Sequence, residues 1–406
     1  MSSFSIALSG LTAASSDLDV TANNIANADT IGFKSSRAEF ADLYSSGAAN
    51  LNQSVTGEGV QQISNAQQFT QGDVTTTSSN LDLAISGDGF FTLQSASGYV
   101  YSRNGQFQEN SNGDVVSSTG QALQVYPPLA NGTFNTGTLA NLNLQTSQSA
   151  PAATTGGSVI LNLPANSTPP TGGAFNPTES TTYNQSTSTT VYDSLGNSYP
   201  ATFYFSATAN PNVWAVNTTV NGQPAGAAQD LTFSNAGVLT TPANGNLNFA
   251  YAPTDGAQPL ALTFNFSNST AYGGAFGVTS ITQNGYATGQ LSTVAIDAAG
   301  IVSAVYTNGR STQLGQLAMA NFPNPQGLKQ LADNNWSSTF DSGTVVQGTA
   351  STAGFGSIQS GALESSNVDL TTQLVNMITA QRAFDANAQV ITTSNQESQT
   401  VIQMSH

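Results

Sequence analysis

Few side chains in this sequence could serve as a catalytic nucleophile, base or metal ligand. The only histidine is His406, the last residue, and there is no cysteine. A Ser–His–Asp triad needs an ordered imidazole, and a terminal residue is usually frayed, so we do not expect such a triad. Thiolate chemistry, disulfides and cysteine-ligated metals are excluded by composition. Any enzymatic reaction would have to depend on carboxylates.

The carboxylates favour turns over catalysis. Paired acids can cleave a glycosidic bond, but the 22 Asp and Glu residues are spread thinly, and several stand beside Gly or Asn, as turn residues do. The stretches "NSNGDV" and "DSLGNS" resemble Ca²⁺ loops but lack the full ligand set and the closing Glu. We therefore predict hairpin turns, with no enzyme activity, no cofactor and no metal.

The charge balance argues against two classes of partner. The formal net charge is −16, and none of the six Lys and Arg residues lies between Asn104 and Gly309. A phosphate backbone needs a basic stripe, so nucleic acid is not an expected partner. Membrane insertion is not expected either, because no apolar run is long enough to span a bilayer. Asp17 and Asp19 interrupt the place of a signal-peptide core, so any export should proceed without a cleaved signal.

The elements that remain to be explained are helical patterns at the two ends of the chain. Alternating spacings of four and three residues are typical of coiled coils. The N-terminal stripe contains Phe4, Leu8, Leu11, Leu18 and Ile25. The C-terminal stripe contains Leu370, Leu374, Met377, Phe384, Ile391 and Ile402. A start box at Ser366-x-x-Asp369 predicts a second helix from about 367 to 403.

Two interpretations of these stripes compete. The simpler one is a helical hairpin that caps a globular domain. Against it, small and polar residues interrupt both stripes, so neither helix is stable alone, and the second helix is longer than compact domains usually contain. We favour self-assembly, in which other copies of the chain complete the stripes.

Between the ends, the periodicity changes to two. Runs such as "LDLAISGDGFFTL" and "STVAIDAAGIVSAVYTNGRSTQL" predict strands joined by turns, including Asn-Gly turns at Asn104, Asn112 and Asn308. These two groups flank a middle region with its own strands, in which Leu260, Leu262, Phe264 and Phe266 share a face. The fold class is therefore mixed and mainly β: all-β outer domains of the barrel or sandwich kind, with terminal helices pairing as a coiled-coil-like inner domain. We predict a helical domain from 1–28 with 365–406, connecting segments at 29–72 with 345–364, an outer β domain from 73–145 with 284–344, and an inserted β domain at 146–283.

Long motifs at both ends resemble those of one family. "NNIANADTIGFKSSRAEFADL" and "GALESSNVDLTTQLVNMITAQRAFDANAQVI" are similar to the terminal signatures of bacterial flagellar axial proteins, which form the rod, the hook and the hook–filament junction. "ISGDGFF" and "YSRNGQF" resemble the outer β domain of rod and hook proteins, and "TTVYDSLGNSYPATFYF" resembles the middle domain of hook subunits. The N-terminal signature covers Asn23, Asn24, Ile25, Ala26, Asn27, Gly32, Phe33 and Lys34.

The resemblance implies a structural protein of the flagellum. It implies export through the flagellar type III apparatus and assembly, outside the cell, into a short curved tube that passes motor torque to the filament as a universal joint. Implied partners are further copies of the chain, rod and junction proteins, the hook cap and the export machinery. The alternatives are another axial component, such as a distal rod or junction protein, or a secreted β-rich adhesin.

Two expectations concern single residues near the first helix. Asn23, Asn24 and Asn27 should lie where that helix ends, where their amides can bond free carbonyls or reach a neighbour. Lys34 and Arg37 stand in a segment poor in bases. We expect them to pair with carboxylates of another subunit, such as Asp42 or Glu364.

Overall fold

The structure is a computed structural model that describes residues 2–43, 57–145 and 148–404, without the side chains of residues 2, 3 and 402. His406 lies outside this part. The chain divides into two compact units: the first contains 1–145, 293–304 and 312–406, and the second contains 146–292 and 305–311. The mixed, mainly β fold class is confirmed, since a helix stands at each end and strands fill the middle. The finer division into four parts remains a prediction.

The N-terminal part of the first unit begins with a helix and continues in short strands. They are α1 (Ser2–Ala26), β1 (Ser36–Leu43), β2 (Gly59–Gln67), β3 (Val74–Thr76), β4 (Leu83–Ser86), β5 (Phe90–Ser95), β6 (Gly98–Ser102), β7 (Phe107–Glu109), β8 (Val115–Ser117), β9 (Ala122–Tyr126) and β10 (Ala140–Asn141). β1 and β2 form a separate antiparallel ribbon with a bulge between Glu39 and Phe40.

The second unit follows as a continuous β region. Its strands are β11 (Gly156–Asn162), β12 (Gln185–Tyr192), β13 (Ser198–Ala207), β14 (Val213–Val220), β15 (Gln223–Pro224), β16 (Gln229–Phe233), β17 (Leu239–Thr241), β18 (Asn246–Tyr251), β19 (Leu260–Asn265) and β20 (Gly277–Gln283), with a 3₁₀ turn at Ser180–Thr182. One sheet has the order β12-β13-β14-β16-β17 with β15 beside β14, and the other has the order β18-β19-β11-β20.

The two sheets of the second unit enclose one aromatic core. Leu260, Leu262, Phe264 and Phe266 are all buried, which confirms the shared face predicted from their alternation. The Phe203 ring packs edge-on against Phe264 with 4.9 Å between centroids. Burial of such side chains accounts for the stability of this unit.

The chain then returns to the first unit and ends in the longest helix. The elements are β21 (Leu291–Ile296), β22 (Ile301–Tyr306), β23 (Ser311–Asn321), β24 (Lys329–Gln330), β25 (Asn335–Ser337), β26 (Val346–Thr349), β27 (Ser357–Ser360), β28 (Ala362–Glu364) and α2 (Leu370–Met404), with a 3₁₀ turn at Pro325–Gly327. A large sheet has the order β21-β22-β23-β9-β5-β6-β25-β24, while β4 pairs with β27 and β3 with β28.

Two of the three predicted Asn-Gly turns are confirmed. Gly113 and Gly309 adopt positive φ, between β7 and β8 and between β22 and β23. The hairpin predicted at Asn104 is wrong, because β6 pairs with β5 and β25 and β7 pairs with β8. Gly105 instead lies against β4: a Cβ there would be 1.6 Å from the carbonyl oxygen of Leu83. Glycine is needed for close backbone approach at this position.

Candidate functional site

The terminal helices α1 and α2 pack against each other in antiparallel orientation. Asn24 Nδ2 donates to Gln373 Oε1 at 3.3 Å, and a Cβ added at Gly10 would lie 2.7 Å from Asn387 Oδ1. The two contacts are separated by the same number of residues in each helix, so they define one continuous register. Continued along the helices, this register places Ala14 at the level of residue 383 and Ala7 at the level of residue 390, each one residue from Phe384 and Ile391.

The face of α1 that meets α2 is formed by small side chains. Ala7, Ala14 and Thr21 are buried at heptad spacing, together with Asn24. A second face contacts the β1–β2 ribbon, where Ser9 Oγ accepts a hydrogen bond from the Val60 N–H at 3.2 Å. None of the five residues of the predicted apolar stripe is fully buried in either face.

That apolar stripe is left open in the single chain. Phe4 is 40% exposed and Leu8 is 47% exposed, while Leu11, Leu18 and Ile25 are half-buried. Within one chain, large side chains of α2 pack on small ones of α1, which lets the two helices approach closely. The large residues of the two stripes are therefore not buried against each other within one chain.

The C-terminal stripe is divided between two faces of α2. Met377, Phe384 and Ile391 are half-buried and share a face with Ala380, which is buried. Leu370 and Leu374 are exposed. The side chain of Ile402 lies outside the described residues. α2 also extends past α1: by the same register residues 396–404 lie beyond Ser2, where α1 begins, over about 14 Å at 1.5 Å per residue.

The predicted start of α2 is too early. Asp369 Oδ1 accepts a hydrogen bond from the Thr372 N–H at 3.0 Å, so Asp369 is the N-cap and the helix begins at Leu370. Ser366 does not cap it: its hydroxyl accepts from the Val368 N–H.

The asparagines at the end of α1 have two roles. Asn27 Nδ2 donates to the Asn23 carbonyl at 2.9 Å, which satisfies a helix-terminal acceptor. Asn24 is buried and bonds both the N–H and the carbonyl of Ser36, at 2.9 and 2.7 Å. The helix, which ends at Ala26, is thereby joined to the start of β1.

The next residues of the N-terminal signature are Gly32 and Phe33. Gly32 has a φ of +69°, and a Cβ there would lie 2.6 Å from the Asn104 nitrogen, so only glycine fits. Its N–H donates to the Glu364 carbonyl at 2.8 Å, and Phe33 is buried. The two ends of the chain meet at this point.

A buried group of three charges lies beside this junction. Lys34 Nζ is 2.6 Å from Glu364 Oε1, and Arg103 Nη1 is 3.1 Å from Glu364 Oε2. Lys34 also donates to the Thr70 carbonyl at 2.8 Å, and the Gly72 N–H donates to Glu364 at 2.9 Å. Burial lowers the pKa of Lys34, and Glu364 opposes that shift.

The expectation that Lys34 and Arg37 pair with another subunit is corrected by these contacts. Lys34 binds Glu364 of its own chain, and Arg37 forms an exposed pair with Glu39 at 2.9 Å. The sequence contains no indication of the role of Arg103, because nothing in "YSRNGQF" shows that this arginine is buried. The signal available was the scarcity of bases in the sequence, and only a base that is buried needs a charged partner.

The acidic residues of the described ranges include turn residues and form no metal site. Asp193 Oδ1 accepts from the Leu195 and Asn197 N–H groups at 2.8 and 2.9 Å, so "DSLGNS" is a hairpin turn between β12 and β13, as predicted. Across 2–43, 57–145 and 148–404, no group of three or more His, Cys, Asp or Glu side chains is arranged to hold a metal. No helix in those ranges is long and apolar enough to cross a membrane.

Comparisons with known proteins give one consistent family. Family models match at residues 4–34 (Flagella basal body rod protein), 84–160 (Flagellar hook protein FlgE/F/G D1 domain), 162–286 (Flagellar basal body protein FlaE D2 domain) and 359–404 (Flagellar basal body rod FlgEFG protein C-terminal). The flagellar hook protein FlgE of Escherichia coli is 40% identical over 99% of both chains. That of Salmonella typhimurium is 39% identical over 99% of this chain and 100% of its own. The chain belongs to the flagellar hook protein family.

A solved structure agrees on the fold of this hook protein. The crystal structure of Helicobacter pylori flagellar hook protein FlgE2 matches with a TM-score of 0.52 at 12% identity, over 72% of this chain and 100% of that one. The family consists of structural proteins of the flagellum, so this hook protein is not an enzyme. The resemblance stated from the sequence is confirmed.

Proposed function

We propose that this chain is the subunit of a flagellar hook that polymerises through its terminal helices into a short curved hollow tube outside the cell. The tube acts as a universal joint between motor and filament. Subunits leave through the flagellar type III apparatus without a cleaved signal, assemble under a hook cap, and contact the rod on one side and junction proteins on the other. The helical part, 1–28 with 365–406, is the inner layer of the tube.

One observation carries this proposal: the apolar stripe of α1 is open although another face of α1 is already packed on α2. Phe4 and Leu8 are exposed on α1, and Leu370 and Leu374 are exposed on α2. Neighbouring copies that cover these side chains gain about 1.5–3 kcal/mol for each large side chain fully buried. The end of α2 at 396–404, which lies beyond the start of α1, extends the same surface.

The near-full-length match to hook proteins favours the hook over the other axial components. A distal rod or junction protein remains the alternative function. An adhesin would leave the open helical stripes without a role.

Two variants test the proposal directly. The double substitution F4S/L8S changes exposed side chains, so the monomer should unfold at the same denaturant concentration as the wild type while its polymerisation is lost. Truncation after Ser394 removes the end of α2 that lies beyond the start of α1 and should likewise prevent hollow tubes from forming. Electron microscopy of the purified chain gives the answer: curved tubes of normal diameter from either variant would refute assembly through these surfaces.

A further inference from the structure

The terminal helices carry a single basic residue among several acids. In Ser2–Ala26 and Leu370–Met404, Arg382 is the only base, whereas Asp17, Asp19, Asp385 and Glu397 are acidic. Arg382 is exposed and takes part in none of the ion pairs formed by the described residues. A lone cation on an acidic surface attracts a carboxylate of an approaching chain.

Arg382 lies on the side of α2 that faces away from α1. It follows Ala380, which is buried on the face toward α1, by two residues. At 100° per residue, two residues rotate a side chain by about 200°. Arg382 therefore projects from the outer side of the helix pair.

A recess with the complementary charge lies on the opposite outer side. Asp19 precedes Thr21, which is buried on the face toward α2, by two residues, so it too points away from the partner helix. Together with Asn23, Asn65, Gln67, Gln326 and Gln330, Asp19 lines a recess of about 340 Å³ between α1, the β1–β2 ribbon and β24.

The recess has the chemistry to hold a guanidinium group. The carboxylate of Asp19 has no hydrogen bond or ion pair with the described residues, and the surrounding amide oxygens are further acceptors. A planar guanidinium binds a carboxylate through two parallel hydrogen bonds.

Recess and arginine also stand at a similar height along the helix pair. The register that joins Asn24 to Gln373 and Gly10 to Asn387 places Asp19 opposite residue 378. Arg382 is about one helical turn further along α2. Complementary groups on opposite sides of one body form a head-to-tail contact that repeats from copy to copy, as an open polymer requires.

We propose that Arg382 of one copy enters the recess of a second copy and pairs with Asp19. This inference rests on the proposed function and names the polar contact that orients neighbouring helix pairs. The Arg382–Asp19 pair recurs at every contact between adjacent copies, so each α2 has one defined lateral neighbour.

Charge reversal and mixing test the pairing. R382E and D19K should each raise the critical concentration for polymerisation of the purified chain about tenfold, because like charges then meet at every contact. An equimolar mixture of R382E and D19K should polymerise nearly as well as the wild type, since each partner supplies the charge that the other lacks. The double variant R382E/D19K should polymerise alone.

A matched control separates this effect from net charge. R310E makes the same change of charge as R382E at another exposed base that is in none of the ion pairs of the described residues, but in the second unit, and should leave the critical concentration unchanged. Wild-type polymerisation of R382E, or failure of the mixture when both single variants keep folded monomers, would overturn the pairing and leave the proposed function intact. Failure of the wild-type chain to polymerise would instead count against the proposed function.

Discussion

At the scale of single residues, the molecule uses its few charges in two ways. Lys34, Arg103 and Glu364 are buried together, whereas Arg37 and Glu39 form an exposed pair. The buried group joins segments from the beginning, the middle and the end of the sequence. Its removal should therefore loosen the attachment of both terminal helices to the β region.

The substitution E364Q tests this role. It leaves two buried cations without a counter-charge, so the free energy of unfolding of the monomer should fall by about 3–5 kcal/mol. The substitution E39Q, at the exposed pair, should change it by less than about 1 kcal/mol. Denaturant unfolding of both variants provides the comparison, and equal stabilities would contradict the structural role of Glu364.

Asp17 makes the helix pair sensitive to pH. Burial raises the pKa of the Asp17 carboxyl above its usual value, so the folded state holds this proton more tightly than the unfolded state. Asp17 therefore contributes most favourably to the free energy of unfolding at low pH, and this contribution is lost as the pH rises through the raised pKa. The substitution D17N should stabilise the helix pair at neutral pH and remove this part of the pH dependence, as thermal unfolding at pH 4 and pH 7 would show.

At the scale of elements, each face of α1 has its own packing partner. Small residues meet α2, a second face meets the β1–β2 ribbon, and we propose that the apolar stripe binds other copies. The close approach of α1 and α2 depends on Ala7, Gly10 and Ala14, because a larger side chain there would collide with the opposite helix.

Two substitutions of alanine by leucine separate these faces. A14L inserts volume on the buried face toward α2, near Phe384, and should lower the free energy of unfolding by about 1–3 kcal/mol. A22L adds the same volume on the open face, where Ala22 is exposed, and should alter monomer stability by no more than about 0.5 kcal/mol. If A14L were as stable as A22L, the register derived for the helices would be wrong.

At the scale of the whole molecule, net charge opposes assembly. Each copy carries a formal charge of −16, and copies in a polymer repel one another. The screening length shrinks from about 30 Å at 0.01 M to about 10 Å at 0.1 M salt. Polymerisation measured by sedimentation should therefore be easier at moderate salt, and an optimum at the lowest ionic strength would contradict this expectation.

The sequence by itself determined the fold class, the existence of both terminal helices and the family. These depend on local periodicity, turn residues and long motifs, which a single chain segment carries on its own. The face shared by Leu260, Leu262, Phe264 and Phe266 is of this kind, because alternation along one strand fixes which side chains point to the same side.

Only the tertiary structure decided which helix face meets which partner. Apolar periodicity marks a stripe that must be buried but does not say which element buries it. The face of α1 that meets α2 consists of small residues, which give no such periodic signal. The tertiary structure likewise decided that Asn104 is not in a hairpin and that Lys34 pairs within its own chain. Gly105 and Glu364 act on residues far away in sequence, and only the folded chain brings those residues within contact distance.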